Sequence, residues 1–310
     1  MKKISFIIPA HNEADNIAWH YKEVSSFLQK ESISYEIYYI NDGSQDDTLA
    51  EIKKIAQKNL AVHYLSLSRN FGKEAALSAG LQACSGAAAI FVDADGQFPI
   101  QIIKTFLKKW EDGNEVVIGV RRSNKGEGII KRYGSKLFYK ILNILTNDKT
   151  IPGSTDFRLI DRKVIDEFNR LTERTRITRG LIDWLGFKRE LVYFDAEERK
   201  HGRAAYGFRK LFQLALSAFV SNSTKPLKIV GLIGIAVTFL SGASGIILLL
   251  EKYLLSDPLK LAVTGTALLA IFLSFLIGIV LGCQGLLALY IESIHNETQN
   301  RPLYIIAEKG

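Results

Sequence analysis

Short apolar runs alternate with helical patterns along the first 120 residues, and this alternation constrains the fold more than any other feature. The runs have the length of buried strands, and the segments between them place apolar residues at helical spacing. Strands are predicted at residues 4–9, 35–40, 62–67, 87–92 and 116–120. This order is typical of an α/β fold, in which a mostly parallel sheet carries helices on both faces.

Polar side chains follow each of the five predicted strands. They are His11, Asp42, Arg69 with Asn70, Asp93 with Asp95, and Arg121 with Arg122. In parallel sheets, ligands bind beyond the carboxyl ends of the strands. The sequence therefore predicts a binding site at that edge of the sheet.

Asp93 and Asp95 form the most specific feature of this edge, a D-x-D motif directly after an apolar strand. Residues two apart in a strand point the same way, so both carboxylates leave the strand on one side. Two close carboxylates repel and need a counter-charge, and hard oxygen ligands suit Mg²⁺ or Mn²⁺. Gln97 adds a neutral oxygen to this predicted metal set. The alternative is a solvated turn after a buried strand.

The charge balance points to anionic partners. The chain has 40 Lys and Arg residues against 32 Asp and Glu residues, for a net charge of +8. Nucleotides, lipid phosphates and an acidic membrane leaflet all suit such a surface. Nucleic acid is not an expected partner, because the chain shows neither a basic recognition helix nor an aromatic RNA-binding motif.

Two long runs near the C-terminus, residues 229–250 and 261–291, contain no charged residue. Each exceeds the roughly 20 residues that a bilayer span needs, so two transmembrane helices are predicted. Basic residues precede the first run, and the positive-inside rule then places the N-terminal domain and both termini in the cytoplasm of a multi-pass protein of the cell membrane. These basic residues are Arg209, Lys210, Lys225 and Lys228.

Four domains follow from these patterns. Residues 1–207 form a cytoplasmic α/β domain, and residues 208–226 form an amphipathic juxtamembrane helix that lies on the bilayer or packs as an ordinary helix. Residues 227–292 form a transmembrane hairpin, and 293–310 a cytoplasmic tail. Because the apolar surfaces exceed what one copy buries, a homo-oligomer is expected, with a tetramer as one arrangement.

Five motifs in order carry a family resemblance. They are Ile8-Pro9-Ala10-His11-Asn12-Glu13, Asn41-Asp42-Gly43-Ser44-x-Asp46, Ser68-Arg69-Asn70-Phe71-Gly72-Lys73, Asp93-Ala94-Asp95-Gly96-Gln97 and Asp156-Phe157-Arg158-Leu159. The chain resembles family-2 glycosyltransferases, and within them the polyprenyl-phosphate branch that includes dolichol-phosphate mannose synthases and bactoprenol glucosyltransferases. The likeness implies a Rossmann-like GT-A fold, a UDP-sugar donor, Mg²⁺ or Mn²⁺, and inversion at the anomeric carbon.

The resemblance also implies roles for residues on the donor side. The implied donor-binding residues are Pro9, His11, Asn12, Glu13, Asp42, Arg69, Lys73, Asp93 and Gln97. Asp42 would accept a hydrogen bond from the uracil N–H, or it caps the turn after its strand. Asp93 would contact the ribose or the metal, and Asp95 and Gln97 would hold the metal on the diphosphate. Arg69 and Lys73 would face the diphosphate or form surface ion pairs.

On the acceptor side, Asp156 matches a carboxylate that joins Asp93 and Asp95 as the implied catalytic residues. It would orient the substrate or take a proton, or it forms a salt bridge to Arg158 or Arg162. Basic and hydroxyl side chains are candidates for the acceptor phosphate, since Arg pairs bidentately with phosphate oxygens. They are Arg122, Lys131, Arg132, Ser135, Arg199 and Arg203.

The implied reaction is transfer of a sugar, with glucose as the first expectation, from a UDP-sugar to undecaprenyl phosphate for cell-surface glycan modification. Mannose, GlcNAc-type sugars and aminoarabinose are alternatives, as is a non-catalytic membrane scaffold that binds sugar nucleotides. A nucleotidyltransferase is disfavoured, because His11-Asn12-Glu13 stands where that class needs a glycine-rich, basic phosphate loop. Gly96 and Thr155 depart from the family pattern, which leaves the choice of sugar open.

Overall fold

The computed structural model describes residues 2–122, 151, 153–174, 176–195 and 265–310. The strands of this part are β1 (Ile4–Ala10), β2 (Tyr35–Asn41), β3 (Val62–Leu67), β4 (Ala88–Phe91), β5 (Val116–Arg121), β6 (Ser154–Asp161), β7 (Arg189–Phe194) and β8 (Ile306–Lys309). Its helices are α1 (Ala14–Lys30), α2 (Thr48–Ala56), α3 (Lys73–Ala83), α4 (Ile102–Glu111), α5 (Arg162–Arg170), α6 (Thr178–Trp184) and α7 (Gly265–Thr298).

All eight described strands belong to one mixed sheet, in the order β7-β5-β6-β4-β1-β2-β3-β8. Parallel pairs join β1 to β2 and β4, β2 to β3, and β5 to β7. β6 is antiparallel to both β4 and β5, and β8 is antiparallel to β3. The predicted α/β class is confirmed. The parallel arrangement holds for β1–β4 and for β5 with β7, whereas β6 and β8 add antiparallel pairs that the sequence patterns did not predict.

Helices cover both faces of the sheet, as predicted. On one face, Phe6 and Ile8 of β1 belong to a buried cluster with residues of α1, α2 and α4. On the other face, Ile7 belongs to a cluster with residues of α3, α5 and α6. Burial on both faces explains why the first strands are nearly continuous apolar runs rather than alternating ones.

The direction of β6 decides which of its residues reach the predicted site. Because β6 runs against β4 and β5, its first residues lie at the edge where those strands end. The register places Ser154 opposite Val120 near the end of β5, and Leu159 opposite Ile90 within β4. The start of β6, including Asp156, therefore faces the same edge as the D-x-D motif.

The first helix begins without a side-chain cap. α1 begins at Ala14, and Glu13 occupies the cap position without a side-chain cap bond. Asn12 has a left-handed backbone, with φ of 55°, and its Oδ1 accepts a hydrogen bond from the Gln45 amide at 2.9 Å. Asn12 thus joins the loop after β1 to the loop after β2 instead of capping the helix.

The C-terminal residues, which lie in the predicted tail, include a strand. The segment after Thr298 returns to the sheet as β8, where Leu65 pairs with Lys309 and Leu67 with Ile306. The Tyr64 amide donates to the Gly310 carbonyl at 2.8 Å, and Lys53 pairs with Glu308 at 2.6 Å. Contacts divide the chain into two units, one containing the sheet with α1–α6 and the other containing α7.

Among the residues that the structure describes, no helix combines the length and the apolar character needed to cross a membrane. The first predicted span, residues 229–250, and the predicted juxtamembrane helix, residues 208–226, lie outside the described part of the chain. The predicted domain boundaries at residues 207, 226 and 292 stay predictions.

Glu36 forms a buried polar cluster within the sheet domain. Its carboxylate accepts hydrogen bonds from the Ser5 hydroxyl at 2.6 Å and from the Ser85 amide at 2.6 Å, and it pairs with Lys3 at 2.7 Å. Burial alone would raise the pKa of Glu36, but the hydrogen bonds from Lys3, Ser5 and Ser85 lower it to about 2.

We expect Glu36→Gln to lower the free energy of unfolding by about 2 kcal/mol at pH 7. A folded-state pKa below the unfolded value means that the carboxylate stabilises the fold fully above about pH 4.5 and loses this effect as the pH falls toward 2. Denaturant titrations from pH 7 to pH 3 should therefore show a weaker pH dependence for the variant. An equal slope for Glu36→Gln, the exposed control Glu111→Gln and the wild type would contradict the assignment.

Candidate active site at the carboxyl edge of the sheet

The loops after β1 and β2 interlock at the carboxyl edge of the sheet. The Asn12 amide donates to the Ser44 hydroxyl at 3.0 Å, and the Glu13 amide donates to the Thr48 hydroxyl at 2.8 Å. The Ala14 amide donates to the Asp46 carboxylate at 3.2 Å. These three hydrogen bonds hold the two loops together. The structure thus brings the predicted donor residues His11, Asn12 and Glu13 beside the loop that follows Asp42.

Asp42 is buried and holds the loop that follows β3. Its two carboxylate oxygens accept hydrogen bonds from the amides of Phe71 at 2.7 Å and Gly72 at 2.9 Å, and its carbonyl lies 2.8 Å from His11 Nδ1. Each carboxylate oxygen has a second lone pair, so Asp42 keeps capacity for a further donor. It caps a neighbouring loop rather than the turn after its own strand.

Gly43 permits the close approach of these loops. Its φ is 60°, and a Cβ at this position would collide with the backbone of Arg69. Arg69 itself is exposed, and its guanidinium carbon lies 4.2 Å from the centre of the Phe71 ring. Within the described residues Arg69 forms no ion pair, and its Nη1 donates to the Asn70 carbonyl at 3.3 Å. Pro9 lies opposite Ile40 in the β1–β2 register.

Lys73, the first residue of α3, links two strands of the site. Its Nζ lies 2.6 Å from Asp93 Oδ1 after β4 and 2.9 Å from Asp156 Oδ2 in β6. Burial would lower the pKa of Lys73, but Asp93 and Asp156 raise it, so the ammonium stays charged at neutral pH. Lys73 and Asp156 therefore lie in one cluster with the D-x-D motif.

Among the described residues Asp156 forms no salt bridge with Arg158 or Arg162, which was the structural alternative predicted for it. Its partner is Lys73, while Arg158 pairs with Asp183 at 2.9 Å and Arg162 approaches Asp166 at 3.5 Å. Arg158 is not available to Asp156, because its guanidinium donates to the Thr155 and Arg179 carbonyls and to Asp183.

The two carboxylates that share Lys73 differ in their electrostatics. Burial raises the pKa of Asp93, Lys73 opposes this, and the charges of Asp156 and Asp95 raise it further. The pKa of Asp156 lies below its usual range, because Lys73, Arg179 and Arg158 outweigh the effect of burial. Asp156 is therefore an anion at neutral pH, and Asp93 is the carboxylate that gains most from an added cation.

The turn from Asp95 to Gln97 is closely packed. Asp95 is only 9% exposed, and its Oδ1 accepts a hydrogen bond from the Gln97 amide at 3.1 Å. Gly96 has φ of 71°, and a Cβ there would lie 2.5 Å from the Trp19 ring. The solvated-turn alternative therefore does not describe Asp95.

The residues present fit a hard divalent cation that also has ligands from a substrate. No group of three or more His, Cys, Asp and Glu side chains within the described residues forms a complete metal cage. Asp93 and Asp95 nevertheless supply carboxylates, Gln97 supplies an amide, and the field of Asp95 and Asp156 on Asp93 favours added positive charge. Two protein carboxylates with substrate phosphates are a common way to bind Mg²⁺.

The predicted acceptor-phosphate residues are mostly outside the described part of the chain. Arg122 is described: it is exposed after β5, with its Nη1 3.4 Å from Asp195 Oδ2. The remaining residues, Lys131, Arg132, Ser135, Arg199 and Arg203, lie outside the described residues, and their role stays a prediction.

Two charged residues of this region were missed by the sequence analysis as supports of the site. Arg158 is fully buried in β6, where its Nε donates to the Thr155 carbonyl at 3.1 Å. Glu74 follows Lys73 in α3, and its Oε2 accepts from the Thr178 amide at 2.8 Å. A signal for Arg158 was available, because a lone arginine in the apolar run 157–160 must find a buried partner.

Comparisons with known proteins match this geometry to a family. Residues 5–168 match the family model described as glycosyl transferase family 2. A bactoprenol glucosyl transferase of Shigella flexneri, derived from prophage SfII, is 36% identical over 304 residues, covering 98% of this chain and 97% of the relative. An uncharacterized glycosyltransferase of Synechocystis is 37% identical over 306 residues, covering 99% of this chain and 95% of the relative.

A solved structure supports the fold. The crystal structure of a mycobacterial protein aligns with a TM-score of 0.50 at 17% identity, covering 72% of this chain and 75% of that one. At this identity the likeness concerns the mixed α/β fold alone. From the matched family model and the near full-length relatives, the chain belongs to glycosyltransferase family 2.

Proposed function

We propose that this glycosyltransferase moves a sugar, with glucose as the first expectation, from a UDP-sugar to a polyprenyl phosphate of the undecaprenyl type, for cell-surface glycan modification. The observation that carries the proposal is the match to bactoprenol glucosyl transferases along 98% of the chain. The site described above supports it, because cationic and anionic groups meet at the carboxyl edge of the sheet.

The donor would lie on the interlocked loops after β1 and β2. His11, Asn12 and Glu13 border the uridine, and Asp42 keeps a lone pair for the uracil N–H while its other bonds hold it in place. Arg69 is exposed at the same edge, and the Lys73 Nζ lies 2.6 Å from Asp93 Oδ1. Both cations suit the diphosphate.

Asp93, Asp95 and Gln97 are the residues that would hold Mg²⁺ or Mn²⁺. When bound, such an ion supplies positive charge that stabilises the departing diphosphate. Asp93 and Asp95 follow the end of β4, and the backbone amide of Gln97 donates a hydrogen bond to Asp95 Oδ1 at 3.1 Å.

Inverting transfer needs one displacement. An oxygen of the acceptor phosphate attacks the anomeric carbon, the bond from that carbon to the diphosphate oxygen breaks, and UDP leaves with the bonding electrons. A phosphate dianion has no proton to lose, so a strong general base is not required. Asp156 is anionic and held by Lys73 at 2.9 Å, which suits it to orient the sugar or the acceptor.

The membrane part of the proposal concerns residues 229–250 and 261–291, which would anchor the enzyme beside its lipid acceptor. The lack of charged residues in both runs supports this proposal, which goes beyond the described helices, since none of them, α7 included, combines the length and the apolar character of a span. The pairing of β8 with β3 adds a constraint, because residues 306–309 must lie in the compartment of the catalytic sheet. The chain must therefore cross the membrane an even number of times between residue 195 and β8. Two spans meet this condition and leave both termini in the cytoplasm.

This topology predicts that a cysteine introduced at Ser256, in the loop between the two runs, is labelled by a membrane-impermeant maleimide in intact cells. A cysteine at exposed Leu60 in the catalytic domain should be labelled only after lysis. Labelling of position 256 that also requires lysis would contradict the external loop.

The decisive experiment for the function is a transfer assay with purified full-length protein, undecaprenyl phosphate and a panel of UDP-sugars. We expect one sugar, with UDP-glucose first, to give a polyprenyl-phosphate-linked product and UDP. Binding of a UDP-sugar without transfer to any acceptor would favour the scaffold alternative. Light scattering in mild detergent tests the homo-oligomer, which a monomer would contradict.

A further inference from the structure

Helix α6 is tied to the site by two polar connections. Arg158 Nε donates to the Thr155 carbonyl at 3.1 Å, and its Nη1 donates to the Arg179 carbonyl at 3.2 Å. The same guanidinium pairs with Asp183 further along α6 at 2.9 Å. Because one buried side chain holds both backbones, Arg179 lies close to the residue that precedes Asp156.

The second connection comes from α3. Glu74 accepts a hydrogen bond from the Thr178 amide at 2.8 Å, and the preceding residue, Lys73, binds Asp93 and Asp156. Two neighbouring residues of α3 therefore contact the start of α6 and the carboxylate cluster. The backbone position of Arg179 is thus determined from two directions.

The side chain of Arg179 is less constrained than its backbone. The residue is exposed, and within the described residues its guanidinium has no hydrogen bond or ion pair. Its charge nevertheless acts on the site, since it contributes to the low pKa of Asp156. Arg158, by contrast, is fully buried and uses its donors within the protein.

We propose that Arg179 binds a phosphate oxyanion of a substrate beside Asp156. The inference rests on the proposed function and adds a binding residue to its site. A guanidinium on a fixed backbone, exposed at the edge where the substrates meet, has the fork geometry that pairs with two phosphate oxygens. The phosphate belongs either to the UDP-sugar or to the lipid acceptor, and the two sources are separable by experiment.

The test uses full-length Arg179→Ala and Arg179→Lys, with Arg189→Ala as the matched control. Arg189 is the first residue of β7 and pairs with Val116, so it lies at the edge of the sheet opposite the site. Its Nη1 lies 3.7 Å from Oδ1 of Asp183, a residue of α6. If only the packing of α6 mattered, Arg189→Ala would reproduce the effect. Calorimetry measures UDP binding, and a transfer assay titrates undecaprenyl phosphate at saturating donor.

We expect Arg179→Ala to weaken the binding of one of the two phosphate substrates by about ten- to a hundredfold. Arg179→Lys should recover part of the loss, the melting temperature should stay that of wild type, and Arg189→Ala should bind and turn over normally. A weaker UDP affinity assigns Arg179 to the donor diphosphate. A higher half-saturating concentration of undecaprenyl phosphate with unchanged UDP binding assigns it to the acceptor.

Two results would overturn the inference: unchanged UDP binding and acceptor dependence in Arg179→Ala, or equal losses in Arg179→Ala and Arg189→Ala with lowered melting temperatures. Failure of the proposed function would look different, because the wild type itself would then transfer no sugar to undecaprenyl phosphate. The calorimetric comparison of wild type with Arg179→Ala, using UDP and undecaprenyl phosphate as separate probes, still decides the role of Arg179 in that case.

Discussion

Asp95→Asn is expected to lower sugar transfer by about a hundred- to a thousandfold while the protein stays folded. The asparagine keeps a carbonyl oxygen that can accept the 3.1 Å hydrogen bond from the Gln97 amide, so the turn under Trp19 should persist. What the substitution removes is one negative charge from the group formed by Asp93, Asp95 and Asp156. The loss should therefore appear in cation binding and turnover rather than in stability.

The measurement combines initial transfer rates, Mn²⁺ binding followed by electron paramagnetic resonance, and thermal unfolding. Asp112→Asn is the matched control, because Asp112 is an exposed carboxylate between α4 and β5, at the opposite edge of the sheet. The same loss of activity is expected for the wild type in excess chelator. Full turnover in chelator, or a Mn²⁺ affinity of Asp95→Asn equal to that of the control, would refute the metal assignment.

Arg158→Met is expected to lower the free energy of unfolding by about 3 kcal/mol. The side chain is 1% exposed, and its removal leaves the Asp183 carboxylate with only the more distant Arg189 at 3.7 Å, and the Thr155 and Arg179 carbonyls without this donor. Methionine fills most of the volume, so the effect arises from unpaired polar groups rather than from a cavity. Because Arg158 also holds the start of α6, activity should fall as well.

A double-mutant cycle with Asp183→Asn tests the origin of this loss. If the unpaired carboxylate dominates, adding Asp183→Asn to Arg158→Met should recover part of the stability, and the double variant should lose less than the sum of the single variants. Denaturant titration of all four proteins supplies the numbers. Strict additivity would mean that Arg158 acts through its backbone carbonyl contacts alone.

Much of the central sheet could be predicted, because strands buried on both faces leave a clear pattern. The strand predicted at residues 87–92 is observed as Ala88–Phe91, and the one predicted at 116–120 as Val116–Arg121. β6 gave no such signal, since Asp156 and Arg158 interrupt its apolar run. Its antiparallel direction depends on pairing with β4 and β5, which no local pattern encodes.

Part of the site could likewise be predicted from the sequence, and part could not. Its place at the carboxyl edge and the importance of Asp93 and Asp95 followed from the strand ends. The contact of Lys73 with Asp156 could not be derived, because it requires β6 to bring its first residues back to the end of β4. The hydrogen bond from the Gln45 amide to Asn12 could not be derived for a related reason: the two residues belong to different loops.

The return of β8 to the sheet has a consequence for synthesis of the chain. Leu67 is translated long before Ile306, its partner, so the outer edge of β3 stays open for tens of seconds at ordinary rates of translation. An open edge strand can recruit a strand from another nascent copy. A variant that ends before Asn300 would keep this edge open permanently, and we expect it to aggregate unless a peptide corresponding to residues 304–310 is supplied in trans.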